Sequence, residues 1–590
     1  MKRLTIMAMI PVLALGQEKS GETSVNPGLE KNRFDLAVKS VADLDDPLAD
    51  GWQTEAFNEE VGKQFKKIGK QLVEGGPLQA AGIAHESFRA SPVRAENTVE
   101  FFKEGKLSVS RSSGQDGAAG VSYEASLKSL AGVLSKYEEI RFKFKTVRVT
   151  PGNGEFSTVT YFQIGGRNVE KAIQINANWE CRWNVANKEP LLMAIKVSNY
   201  DEVIHLLEGG EPMYSDCTKS VFRKGDLFER QLIYGVDHWT SRFDGAIARP
   251  AAGHGLAVGD VDGDGLEDLY LCQAPGLPNL LLIQQEDGTV VDKAVEGGVN
   301  WHEGTRAALL NDMDNDGDAD LVVVLGSKVV VQENDGEGNF DMKTVIDSAS
   351  SLFAINAVDY DGDSDLDLFI CGYSLASGIN LDDVFANPMP FEDANNGAPN
   401  LMLRNEGGWN FTDVTKEVGL GQNNMRFSYA SSWDDYDRDG DMDLYVANDF
   451  GRNNLYRNDG GKFTDVAPEL GVEDIGPGMS ASWGDFNKDG YPDIYVSNMF
   501  SSAGNRITTQ RQFKNGLEQE KKKDFIRHAR GNSMYQNNGD GTFRDVSVEL
   551  GVTLGRWAWG SVFVDMNNDG WEDLYVANGF LTAEGKDRDL

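Results

Sequence analysis

A nine-residue pattern recurs six times in the C-terminal part of this chain, starting at Asp260, Asp312, Asp359, Asp435, Asp485 and Asp565. Positions 1, 3, 5 and 9 of every copy are Asp or Asn. The first two copies place Asp260, Asp262, Asp264 and Asp268, then Asp312, Asp314, Asp316 and Asp320, at those positions. The next two place Asp359, Asp361, Asp363 and Asp367, then Asp435, Asp437, Asp439 and Asp443. The last two place Asp485, Asn487, Asp489 and Asp493, then Asp565, Asn567, Asp569 and Asp573. Position 6 is Gly in five copies and Ser364 in the third. Oxygens at alternate positions of a tight loop suit a hard cation with many oxygen ligands at flexible distances, which is Ca²⁺ rather than Zn²⁺ or Mg²⁺. Glycine at position 6 permits the sharp turn that aims the side chains at one centre.

An EF-hand loop starts in the same way but needs a bidentate Glu at its position 12, within a helix. Position 12 is here Leu271, Val323, Ile370, Val446, Val496 or Val576, apolar every time. From position 9 onward the copies continue as β-branched and aromatic runs, such as Asp-Leu-Tyr-Val-Ala from Asp443 and again from Asp573. The loop therefore feeds a strand, and the EF-hand is excluded.

A second element lies between the loops. It reads Asn-x-Leu-Tyr-Arg-Asn-x-Gly, then Phe-Thr-Asp-Val, at Asn454–Val466, with a close variant at Asn400–Val414. Looser copies occur at Asn532–Val546, Asn279–Asp292 and Lys328–Met342. Each reads as two strands joined by a Gly-containing turn. A repeat of ~50 residues with four short strands is the signature of a β-propeller blade. Strand one enters the acidic loop, strand two leaves it, and the tail supplies strands three and four. The expected fold of residues 215–590 is mainly β, a propeller of six four-stranded blades, or seven if the chain is a shortened form of something longer. A degenerate tail at Ser220–Val236 precedes the first loop and no tail follows the last. Pairing these two regions would close the ring and bury its edges.

Loop starts are 52, 47, 76, 50 and 80 residues apart, so two blades carry insertions. One, Ser374–Ala398, is acidic. The other, within Phe500–Gly531, contains Arg506, Arg511, Lys514, Lys521, Lys522, Lys523, Arg527 and Arg530. Such a basic island is either a docking surface for an acidic partner or glycan or a helical excursion with a solvated face.

Loops of this form, followed by Leu-Tyr-Val-Ala-Asn and separated by Leu-Tyr-Arg-Asn and Phe-Thr-Asp-Val, resemble FG-GAP/VCBS repeats. These build the propeller of integrin α chains and of bacterial proteins similar to the cartilage-acidic-protein (ASPIC/UnbV) group. The resemblance covers about residues 215–590. It implies a secreted calcium-binding propeller used for recognition or adhesion, with about six Ca²⁺, one per loop. The ligands it implies are the side chains at positions 1, 3, 5 and 9 and the carbonyl at position 7, which is Leu266, Asp318, Asp365, Asp441, Tyr491 or Trp571. Asn487 and Asn567 replace Asp, and fewer charges mean weaker sites. Members of that group usually continue beyond this point, which leaves the blade count open.

The formal charge of −37 argues against nucleic-acid binding, which needs the opposite sign. Met1–Gly16 has the layout of a secretory signal, with Lys2 and Arg3 ahead of an apolar stretch too short to span a membrane. Residues 17–51 read as a flexible leader. No later segment reaches spanning length, and the expected location is secreted or extracytoplasmic (periplasm or cell surface). In residues 52–210, Phe57, Val61, Phe65, Ile68 and Leu72 mark an amphipathic helix. Ile173, Ile175, Ala177, Trp179, Cys181 and Trp183 alternate as one face of a strand. Further strands at Ile140–Thr150, Thr158–Ile164 and Leu191–Val197 complete an α+β domain whose order resembles the cone-shaped folds related to nuclear transport factor 2. Four cysteines make no disulfide scaffold.

Two classes of function fit. One is a recognition module for a protein or polysaccharide ligand, with no catalysis. The other is a carbohydrate-active lyase or hydrolase using the propeller axis, towards which His254, Arg306, Phe353, Tyr429, Met479 and Trp559 are expected to point from about six residues before each loop. A third site, a small-molecule pocket under Trp179 and Trp183, competes with plain core packing of those rings.

Overall fold

The computed structural model describes residues 52–114, 120–185, 189–207, 215–234, 238–239, 255–375, 387–514 and 516–579. The expected signal, the leader and His254 lie outside these residues. Chain contacts divide the molecule into two units. One gathers the described residues from Trp52 to Asp216 together with Ser502–Phe513, and the other runs over Cys217–Ser501 and from Lys514 onward.

In the first unit, helix α1 (Gln53–Glu74) buries Phe57, Val61, Phe65, Ile68 and Leu72, the stripe that its three-and-four spacing dictates. Six strands, β1 (Thr98–Glu104), β2 (Leu107–Ser112), β3 (Glu138–Pro151), β4 (Glu155–Arg167), β5 (Lys171–Asn184) and β6 (Leu191–Leu206), form one antiparallel sheet in the order β1-β2-β6-β5-β4-β3. Along β5 the residues from Ile173 to Trp183 on the expected face are buried and their neighbours are not. Trp183 lies edge-on to Phe65 with ring centres 5.3 Å apart, Trp179 stacks on Phe162 at 4.4 Å, and Trp183 Nε1 donates to Thr158 Oγ1 at 3.0 Å. The tryptophans pack the core, so the space beneath them is filled rather than hollow. A second helix, α2 (Tyr123–Leu134), buries Leu127, Leu130 and Leu134; its N-cap Ser122 accepts from the Ala125 N–H at 3.3 Å.

The second unit is built from five four-stranded antiparallel sheets and a sixth that shows two strands among the described residues. Within a sheet, neighbours in sequence are neighbours in space, as in Thr305–Asn311, Asp320–Leu325, Lys328–Asn334 and Phe340–Asp347 of the second. The first strands stand side by side in chain order: Leu256–Gly259, Thr305–Asn311, Ser350–Val358, Ser428–Asp434, Gly478–Gly484 and Ala558–Val564. Apolar side chains fill the spaces between successive sheets. Val322, Val324, Val329 and Val331 of the second sheet meet Leu352, Leu368, Ile370 and Leu403 of the third, and comparable cores recur along the series. Each sheet is thus hydrophobic on both faces.

The tail expected at Ser220–Val236 is different. Thr218–Val221 is a helical turn and Phe228–Leu232 a π-helix, and residues 235–237 lie outside the described part. Straight-chain residues dominate this stretch, and β-branched ones are confined to Val221 and Ile233 of 220–234, which favours helix over strand. The described residues of this segment, 220–234, therefore supply no strand to the sixth sheet.

The basic insertion is helical, at Ser502–Thr508 and Gln519–Arg530. Arg506 is buried in the first unit, where Nη2 donates to Glu55 Oε2 at 2.7 Å and Nη1 to the Thr146 carbonyl at 2.7 Å. In the second unit Arg527 holds Asp474 at 3.1 Å and also Asp545, and Arg530 holds Asp545 at 2.9 Å. Three of the island's cations are consumed by buried or half-buried internal pairs, Lys523 makes an exposed pair with Glu520 at 3.1 Å, and Arg511 and Lys521 are exposed. All four cysteines are free, and Cys181, Cys272 and Cys371 are buried. No helix among the described residues is long and apolar enough to cross a membrane.

Candidate metal centres

Each acidic loop is a hydrogen-bonded turn whose own amides shape the cluster. The position-1 carboxylate accepts from the N–H groups of positions 5 and 6. For Asp260 these are Asp264 and Gly265 at 3.2 and 2.9 Å, and for Asp435 they are Asp439 and Gly440, both at 3.0 Å. Asp312, Asp359, Asp485 and Asp565 do the same. The position-5 carboxylates of Asp264, Asp316, Asp363, Asp439, Asp489 and Asp569 accept from the position-7 N–H groups of Leu266, Asp318, Asp365, Asp441, Tyr491 and Trp571. The turn needs left-handed backbone at position 6, where Gly317 has φ 102° and Gly440 97°. Ser364 adopts φ 77° there despite its side chain.

This framework converges carboxylate oxygens in four loops. In the sets Asp260, Asp262 and Asp268; Asp312, Asp314 and Asp316; Asp359, Asp361 and Asp367; and Asp435, Asp437 and Asp443, one oxygen from each residue lies within 4.8 Å of the others. Three position-3 oxygens, Asp262 Oδ1, Asp314 Oδ1 and Asp437 Oδ1, are buried without a hydrogen-bond partner, as is Asp493 Oδ2. A buried carboxylate oxygen with no donor is costly, and a cation is what satisfies it. Burial, with neighbouring loop carboxylates adding to it, raises Asp320 to about 6, Asp367 and Asp493 to about 7, and Asp443 to about 8. The donor set therefore fits a divalent cation. In the last two loops the amides of Asn487 and Asn567 donate to Asp489 and Asp569 at 2.9 and 2.8 Å, so one charge is replaced by an internal hydrogen bond.

Position 9 does more than face the loop. In loops one to four its carboxylate accepts from the position-2 N–H of its own loop and from an N–H on the third strand of its sheet. For Asp443 these donors are Tyr436 at 3.2 Å and Asn458 at 2.8 Å. The Asn458 side chain then donates to the Tyr360 carbonyl, at position 2 of the preceding loop, at 2.9 Å. Asn334, Asn405 and Asn537 repeat this, reaching Val261, Met313 and Tyr436, each at 2.9 Å. An unbroken series of Asp, Asn and peptide groups thus links loops one to five. These asparagines are the Asn of Leu-Tyr-Arg-Asn and its variants. The sequence marks them only as turn residues, because their partners lie 73 to 101 positions away.

The residues expected to face an axis partly meet. The Arg306 guanidinium carbon lies 4.1 Å from the centre of the Phe353 ring; Phe353 and Tyr429 are 5.2 Å apart and Tyr429 and Trp559 6.1 Å. Tyr373 packs on Phe353 at 4.6 Å, and its hydroxyl donates to Asp449 at 2.6 Å. Met479 is buried. Tyr373 and Asp449 were not singled out by the sequence pattern, since Tyr373 lies within a second strand and Asp449 directly after one, rather than before the loops.

A family model described as the FG-GAP-like repeat matches residues 312–370, 435–496 and 525–576, spans that contain loops two to six. The chain is an FG-GAP-repeat-containing protein. It is distantly related to cartilage acidic protein 1 of Mus musculus, 26% identical over 133 residues, which is 21% of this chain and 20% of that protein. The match thus spans about a fifth of the relative's length. Among solved structures, an Agrocybe aegerita lectin that recognises non-reducing terminal N-acetylglucosamine is 17% identical with a TM-score of 0.33, covering 55% of this chain and 74% of the lectin. The V. cholerae biofilm matrix protein Bap1 is 14% identical with a TM-score of 0.28, covering 50% and 38%. At these scores neither likeness bears on function.

Proposed function

We propose that this chain is an exported calcium-binding β-propeller of six blades that recognises a polysaccharide or protein ligand without transforming it. The observation that carries the reading is the set of orphaned oxygens of Asp262, Asp314 and Asp437 inside their carboxylate clusters. Loops of hard oxygens with adaptable spacing favour Ca²⁺ over the smaller, strictly octahedral Mg²⁺. Ring closure is supported by the side-by-side first strands and by apolar residues left exposed at the two ends of the series, Leu256 and Val258 in the first sheet, Val562 and Tyr575 in the last. Ions filling the loops stiffen one rim, and recognition is assigned to the surface those loops hold in place.

Thermal unfolding with Ca²⁺, with Mg²⁺ and after chelation tests this. Each site that binds only the folded state adds about 2.7 kcal/mol at a hundredfold excess of Ca²⁺ over its Kd. A large calcium-specific rise in Tm is expected, and no rise would remove the reading. A lyase or hydrolase acting at the axis is the second reading, favoured by Asp449, whose burial raises its carboxyl to about 7 beside the Tyr373 hydroxyl. Glycan turnover that survives chelation but is lost in His254→Ala would replace the recognition module with that enzyme.

A further inference from the structure

In a chain of net charge −37, arginines are expected to be paired, and several in the second unit are. Arg452 reaches Asp393, Glu473 and Asp524; Arg457 holds Asp459; Arg527 and Arg530 hold Asp545. Arg306 differs. Its Nη1 donates to Ser351 Oγ at 2.9 Å and to the Leu352 carbonyl at 3.4 Å, which with the Phe353 ring fixes the plane of the guanidinium. Its Nε and Nη2 have no partner among the described residues. The acid of the cluster, Asp449, is engaged by Tyr373 instead. Burial without a counter-charge pushes the Arg306 guanidinium below its ordinary range.

The Nε–Nη2 edge is the side of a guanidinium that grips a planar carboxylate through two parallel hydrogen bonds. From it runs a row of rings, Phe353 against the guanidinium, then Tyr429 and then Trp559, all partly open to solvent. The Tyr429 hydroxyl has no partner among the described residues. Flat apolar faces with a hydroxyl at one end suit a sugar ring, which is apolar on its C–H faces and polar at its edge.

We propose that Arg306, seated on Phe353 at the head of the row continued by Tyr429 and Trp559, binds the carboxylate of a hexuronic-acid residue in a saccharide, which deepens the recognition reading above and rests on it. Arg306 supplies the two-pronged grip, Phe353 and Ser351 hold it in orientation, and Tyr429 meets the sugar ring. The fork matches a carboxylate in plane and span, and because it can also grip two oxygens of a tetrahedral sulfate ester the test separates the two.

The test is calorimetric titration of the calcium-loaded chain with uronate trimers (galacturonate, mannuronate, and a glucuronate-containing hyaluronan fragment), each beside its methyl ester and beside a sulfated, carboxylate-free trimer. At least one acid is expected to bind, with its ester at least tenfold weaker. Arg306→Gln should abolish the difference and Arg306→Lys should reduce it, with the calcium-induced Tm rise unchanged in both. Equal binding of acid and ester, or undiminished binding by Arg306→Gln, would overturn the site while leaving saccharide recognition intact. Binding of sulfated but not carboxylated trimers would overturn the carboxylate assignment. Binding of none would overturn the site, and loss of the calcium response as well would mark failure of the broader reading. If Arg306→Gln lost its calcium response, the acid–ester comparison on the unmodified chain would still decide.

Discussion

Residues Asp443–Asn448 and Asp573–Asn578 are the same six amino acids, Asp-Leu-Tyr-Val-Ala-Asn, in the fourth and sixth sheets. All six are buried in the first copy. In the second none is, and Tyr575 is 52% exposed where Tyr445 is fully covered. Both segments form strands and both follow an acidic loop with the same hydrogen-bonded turn. What differs is the company. The fourth-sheet copy pairs on both sides, with Ser428–Asp434 and Asn454–Asn458, and is sandwiched by its neighbours; the sixth pairs only with Ala558–Val564 among the described residues. Local sequence determines strand and turn, whereas adjacent repeats confer burial, and with it most of the stability.

Truncation of the matched tyrosines bears most strongly on this contrast. Tyr445→Ala should cost about 3–5 kcal/mol in urea unfolding, the range for deleting a buried aromatic. Ring closure as proposed above would cover the sixth sheet, so Tyr575→Ala should then cost a comparable amount; a loss of about 0.5 kcal/mol or less there would leave the contrast standing and the ring open. Next comes the asparagine link. Asn458→Ala should cost about 1–3 kcal/mol by stranding the groups it joins, and calcium titration should weaken for loops three and four but not for loop six.

A pH effect follows from the residue after each hexapeptide, Asp449 in one copy and Gly579 in the other. Burial raises the Asp449 carboxyl to about 7, so the folded chain keeps a proton that the unfolded chain has lost. Stability should therefore fall as pH rises from the ordinary carboxylate range through about 7, and Asp449→Asn should flatten that slope. The smallest expected change is Ser364→Gly, a gain of about 1 kcal/mol or less from relieving a left-handed serine, detectable as a slightly higher urea midpoint.

The loops and the two-strands-plus-tail order were legible because ligand spacing and strand alternation are local. So was the core face of β5. Other features were not. Asn458 looked like a turn residue because Tyr360, its partner, lies 98 positions earlier, and Arg506 looked like surface charge because Glu55 is 451 positions away. The Ser220–Val236 segment was misread because a weak match to the repeat outweighed its helix-forming composition. Tyr123–Leu134 went unnoticed, although Leu127, Leu130 and Leu134 carry helical spacing and Ser122 a capping signal.

The asparagine links also set an order of assembly. Each one reaches backwards, from the third strand of one sheet to the loop of the sheet before it. A loop is therefore fully tied only once the following repeat has folded against it, so the last repeat to fold carries the least constrained loop.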